Sequence, residues 1–172
     1  MLSCTVENKE KDLLDINKNW IVYEDYLASF SKKYRDRAKS ARRKFDGLEM
    51  RELQLKNLQE LEKEMHILYQ NVAENAPFNT FFLTENHFSS AKEILGSNFR
   101  IFGYFSGNQL VGFYSFILNH HKMDTYFLGY DKDLQKPKQL YLNMLLDMVK
   151  FGIENKLDGI VFGRTALEIK ST

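Results

Sequence analysis

A single cysteine, Cys4, excludes an internal disulfide framework and a thiolate-held metal, and it points to a reducing compartment. Only two prolines occur, and no proline- or glycine-rich tract, so collagen-like and low-complexity chains are excluded. No apolar run approaches the roughly 20 residues that cross a bilayer. The segment Met1-Leu2-Ser3-Cys4-Thr5-Val6 has neither the charged nor the apolar region of a signal peptide, so the expected location is the cytoplasm. A net charge of +1 excludes a uniformly basic nucleic-acid coat or an acidic tail. Also missing are Gly-x-Ser-x-Gly, His-Glu-x-x-His, Cys-x-x-Cys and P-loop motifs, any set of metal ligands and any internal repeat.

What is present suffices for a real core. Hydrophobic residues make up 44% of the 172 and aromatics 14%, and a domain of this size hides roughly 70% of its unfolded surface. The clearest pattern lies between Phe99 and Gly163. Phe99–Phe105 and Gln109–Leu118 are rich in aromatic and β-branched residues, and the turn Ser106-Gly107-Asn108 between them supplies the positive φ a tight hairpin needs. Met123–Tyr130 reads as a third strand and Asp131–Lys138 as a polar loop. The period then changes to 3.6, with Leu140, Met144, Leu145, Met148, Val149 and Ile153 on one helical face. Asn155-Lys156 closes that helix before the apolar run Gly159–Gly163. Strand, helix and strand make a right-handed crossover that sets the two strands parallel. Ligands of open α/β sheets sit beyond the carboxyl ends of such strands.

One local charge asymmetry stands out. Between Lys32 and Lys44 there are eight cations, namely Lys32, Lys33, Arg35, Arg37, Lys39, Arg42, Arg43 and Lys44, against the single acid Asp36. Tyr23, Leu27, Phe30, Tyr34, Ala38, Ala41 and Phe45 recur at helical spacing, which predicts one amphipathic helix of about six turns. Its cations form either an ordinary solvated face or a site for phosphates. Leu48–Leu53 alternates as a strand, a helix is expected from about Leu58 to Asn75, and another from His87 to Leu95 ends at Gly96. Phe81-Phe82-Leu83 reads as an apolar connector that lines a cleft or packs the core. His66 and His87 read as structural, and His120-His121 as a surface pair.

This order of strand, two helices, three-strand meander, helix and strand resembles the Gcn5-related N-acyltransferase superfamily. Leu27–Lys44, Tyr126-Phe127-Leu128-Gly129-Tyr130-Asp131 and Phe162–Lys170 are most similar to its Fem-type branch of peptidoglycan aminoacyltransferases. The resemblance implies an α/β fold with a mixed, mostly antiparallel sheet flanked by helices, preceded here by an extra basic helix. Residues 1–22 are expected to be an N-terminal extension and 23–172 one domain, with the superfamily's last strands absent from this sequence, as in a fragment or in an oligomer whose partner supplies them. The superfamily's usual Arg/Gln-x-x-Gly-x-Gly/Ala phosphate loop is replaced by Asp131–Lys138, which has no glycine. The Fem-type branch shares that lack and uses aminoacyl-tRNA or other acyl donors, so the resemblance implies acyl-coenzyme A or aminoacyl-tRNA as the donor substrate and identifies no further cofactor and no metal.

Transfer of an acyl group to a primary amine needs a group that takes the amine proton and donors that hold the carbonyl oxygen as charge develops. Asp131 and Lys170 are the candidate catalytic residues. Tyr126, Lys136, Lys138, Tyr141, Asn143, Arg164, Thr165 and Glu168 are candidates for donor and substrate binding. Lys32, Lys33, Arg35, Arg37, Lys39, Arg42 and Arg43 are the candidate anion-binding face. Two other readings stand beside the transferase. One is a non-catalytic domain that binds nucleic acid or a protein partner through 32–44, and the other a membrane-surface module using the same helix.

Overall fold

The computed structural model describes residues 13–75 and 81–162. Strands β1 (Leu13–Asp15), β2 (Glu49–Glu52), β3 (Phe99–Ser106), β4 (Gln109–Asn119), β5 (Lys122–Tyr130) and β6 (Gly159–Val161) form one sheet in the order β1-β6-β5-β4-β3-β2. Every neighbouring pair is antiparallel except β5 and β6. The expected mixed, mostly antiparallel sheet is therefore what forms, with its parallel pair where the crossover places it. Gly107, at φ +59°, turns β3 into β4, which is why a two-residue connection suffices there.

Helices cover both faces. On one lie α1 (Tyr23–Ser29), α2 (Lys32–Lys44), α6 (Lys132–Lys138) and α7 (Leu140–Glu154), around a core that includes Tyr26, Phe30, Tyr104, Phe116, Met144 and Phe162. On the other lie α3 (Leu55–Glu60), α4 (Glu62–Ala73) and α5 (His87–Leu95), around Leu58, Met65, Tyr69, Phe88, Phe99 and Phe113. Helix α4 crosses β5 in direct backbone contact. A Cβ at Gly129 would stand 2.5 Å from backbone atoms of Leu68 and Tyr69, so only glycine fits there.

Several expected elements differ. The six-turn helix is two helices, because Phe30 and Ser31 adopt extended backbone, and Arg35 reaches back to the carbonyls of Leu27, Ala28 and Phe30 left open by the break. The helix from Leu58 to Asn75 starts at Leu55 and is interrupted at Leu61. Asp131–Lys138 is a helix rather than a loop, initiated by Asp131, whose side chain accepts from the backbone N–H groups of Asp133 and Leu134 at 2.8 and 3.0 Å. The expected N-terminal extension contributes β1, which pairs with β6 and adds Leu14 and Ile16 to the core. Leu83 is buried, as expected of the apolar connector, but Phe81 and Phe82 are exposed.

Candidate functional site

The strand β5 is interrupted by a bulge. Tyr114 stands opposite Leu128 while Phe116 stands opposite Thr125, so Tyr126 and Phe127 together face Ser115. The Ser115 hydroxyl donates to the Phe127 carbonyl at 2.6 Å and fixes the irregularity. The extra residue breaks the strict alternation of faces. Tyr126 and Phe127 both pack with the α3–α5 layer, whereas Leu128 and Tyr130 pack with the α1–α2–α7 layer.

Among the described residues, the opposite edge of β5 is unpaired over most of its length. Among the described residues, β6 pairs only with Lys122, Met123 and Asp124. The Asp131 N–H donates to the Val111 carbonyl at 2.9 Å, and the two-residue alternation of an antiparallel ladder then turns the N–H groups of Leu128 and Tyr130 away from β4. The Tyr130 carbonyl accepts from Asn71 Nδ2 at 3.2 Å. An outward strand edge of this kind offers donors to an extended ligand.

At the bulge, His87 Nε2 lies 3.0 Å from the Tyr126 hydroxyl, with the rings stacked at 5.8 Å. Phe127 meets the imidazole edge-on at 6.2 Å. Burial lowers the His87 pKa, and burial together with nearby Tyr69 raises that of Tyr126. At neutral pH the pair is therefore an uncharged imidazole beside a protonated phenol, an arrangement able to receive a proton. The neighbouring connection is pinned by the Leu83 N–H on the Tyr69 hydroxyl, at 3.4 Å, and Phe81 and Phe82 lie exposed two residues and one residue before Leu83. Sequence reasoning assigned His87 a structural part. No spacing links it to Tyr126, which lies 39 positions away.

The other sequence candidates scatter. Asp131 caps α6. Lys136 is exposed on α6, and Lys138 Nζ donates to the Asp46 carbonyl at 2.7 Å, docking α6 against the end of α2. Tyr141 is partly buried at the start of α7 against the core. Asn143 is fully buried and its Nδ2 donates to the carbonyls of Ala41, Lys138 and Gln139, which locks α2 and α6 to α7, while its Oδ1 meets no partner among the described residues. Arg164, Thr165, Glu168 and Lys170 lie outside the described residues.

The basic face is also divided. Arg42 turns inward and meets Asp147 Oδ1 at 2.5 Å, and the Tyr104 hydroxyl donates to the second oxygen of the same carboxylate. That partnership keeps the guanidinium charged against its own burial. Arg35 is spent on α1. Lys32, Lys33, Arg37, Lys39, Arg43 and Lys44 keep the exposed position expected of them. Among the described residues no cluster of acidic, histidine or cysteine side chains could hold a metal ion, and no helix is long and apolar enough to cross a membrane.

No protein-family model matches the chain, and no curated protein matches it either. Solved structures do. FemX is 10% identical with a TM-score of 0.65, over 88% of this chain and 52% of its own. L-PGS from Bacillus licheniformis is 15% identical with a TM-score of 0.58, over 88% of this chain and 45% of its own. An aminoglycoside acetyltransferase from an uncultured soil metagenomic sample is 16% identical with a TM-score of 0.51, over 70% of this chain and 80% of its own. The chain thus has a Gcn5-related N-acyltransferase-like fold, with FemX among its structural neighbours, and it spans about half the length of FemX and L-PGS.

Proposed function

We propose that this chain transfers an acyl or aminoacyl group from an activated ester to a primary amine. The observation that carries the reading is the edge of β5, next to a bulge and unpaired beyond Asp124 among the described residues, in a fold shared with an acetyltransferase. The donor lies along that edge, and the outward N–H groups of Leu128 and Tyr130 hold its carbonyl oxygen and amide groups.

The amine nitrogen attacks the ester carbon. A C–N bond forms, the C–O or C–S bond to the carrier breaks, and the nitrogen loses a proton. Tyr126, two residues and about 7 Å along the strand from Leu128, accepts that proton while passing its own to His87 Nε2. The resulting imidazolium returns a proton to the leaving group. Because Asp131 occupies the first amides of α6, donor phosphates are held by side-chain charge, with Arg43, Lys44, Lys132 and Lys136 nearest this end of the sheet in chain order. This favours an aminoacyl-tRNA over coenzyme A as the carrier, and a cell-wall precursor amine is one acceptor consistent with the Fem-like resemblance.

The test is a mass-spectrometric transfer assay with acetyl-coenzyme A and aminoacyl-tRNA against a panel of amines, run on the wild type, Leu128→Pro and Leu128→Ala. Proline at 128 deletes an N–H that the ladder does not use, so the fold should survive. Turnover should fall by about 100-fold or more, as when an oxyanion donor is removed, while Leu128→Ala keeps most of it. Equal turnover by the proline variant would overturn the assignment of the edge. Salt-sensitive RNA binding by the wild type, without transfer to any amine, would favour the non-catalytic reading.

A further inference from the structure

We propose that a cavity at the opposite end of the sheet, between residues 16–21 and the end of α7, binds a small organic anion with an apolar body. Its volume is about 430 Å³, within the range of ligand pockets. Buried Ile16, Ile153 and Leu157 supply aliphatic surface to its lining. Trp20 lines it as well, and is held by an edge-to-face contact with Tyr26 at 5.1 Å. The cavity is separate from β5's edge and bulge, so the proposal does not depend on the transferase reading.

Charge defines the ligand's other end. Lys18 and Lys156 line the cavity together with one acid, Asp158, leaving a net positive lining. The carbonyls at the end of α7, which would repel an anion, are occupied: Phe151, Gly152 and Ile153 accept from the backbone N–H groups of Asn155, Leu157 and Lys156. Lys156 itself sits at φ +53°, just past the helix, where glycine is the residue without steric cost. The Lys156 side chain is exposed at the rim of the cavity.

Trp20 is the sole tryptophan of the chain, so its emission reports on this cavity alone. Titration with 4-phenylbutyrate should shift the emission saturably, with affinity about five- to tenfold above that for 4-phenylbutylamine or 4-phenylbutanol, the gain expected from partly exposed ion pairs. Lys156→Gly should remove that preference while raising Tm by about 2–4 °C through relief of strain. Lys18→Gln, with no backbone change, should weaken carboxylate binding and leave Tm unchanged. No saturable shift with any of the three probes, or equal affinity for all three, overturns the proposal. So does a Lys156→Gly variant that keeps the carboxylate preference.

Discussion

Both faces of the sheet are held by apolar and aromatic packing, but they differ in how charge is buried. Toward α2 and α7 an ion pair is buried within the apolar core: Arg42, Asp147 and Tyr104 form a connected polar group beneath the helices, with Tyr114 and Tyr23 close to it. Toward α4 and α5 the packing is aromatic, from Tyr69, Phe88, Phe113 and Phe127 to the stacked His87 and Tyr126, and the buried Lys92 ammonium donates to a backbone carbonyl, that of Phe99, at 2.7 Å. The charged face tolerates little, because a desolvated ion left without its partner is costly. The aromatic face carries the partly exposed polar pair His87 and Tyr126 instead of a buried ion pair.

The sharpest way to break the comparison is to unpair the charge. Asp147→Ala leaves Arg42 and the Tyr104 hydroxyl without their acceptor and should cost about 3 kcal/mol, the lower end for a buried pair because Arg42 keeps some contact with solvent. Chemical denaturation checks it. The double variant Asp147→Leu with Arg42→Met should recover most of that loss, and if it does not, the group contributes more than charge balance. Next in size is Gly129→Ala on the other face. Its methyl meets α4 backbone, which cannot rotate aside, so a loss of about 2 kcal/mol is expected, measured in the same way.

The aromatic face also makes a prediction about pH. Burial lowers the His87 pKa, so the folded protein disfavours the imidazolium. The unfolded chain then binds more protons below its own value of about 6.5. Stability contributed by neutral His87 is full above that pH and is lost as pH falls toward the folded value. Denaturation at pH 7 and pH 5 should show a decline that His87→Gln reduces. An unchanged decline in that variant would assign the acid sensitivity elsewhere.

Much of this fold is legible in the sequence because its signals are local. The Phe99–Leu118 hairpin, the helix face from Leu140 to Ile153 and the stop at Gly96 follow from periodicity and turn chemistry, and they appear where those rules place them. The break at Phe30-Ser31 is not legible, since the apolar spacing runs straight through it and the carbonyls it frees are satisfied by Arg35, a tertiary device. Strand β1 is three residues long and owes its existence to pairing with β6. The candidate site is less legible still. Tyr126 can be singled out as a residue of a central strand, but the bulge that turns it and the His87 that meets it arise only when three strands and α5 come together.

The same division runs through the basic helix and gives the smallest expected effect on stability. Eight cations look alike in sequence, yet Arg42 is buried against Asp147 and Arg35 closes α1, while Lys39, Arg43 and Lys44 are exposed. Replacing Lys39, Arg43 and Lys44 by Gln should change stability by no more than about 0.5 kcal/mol each, as for exposed side chains without structural partners. If these residues track phosphates, the variant should still weaken RNA binding and make the dependence of log K on log salt shallower by about two units, near 0.7 per lost contact on a single strand. Arg42→Gln should do the reverse, lowering stability with little change in the salt slope. Equal effects of the two variants on both measurements would mean that the inward and outward cations are not separate in function, and the contrast between the faces would then lie in packing alone.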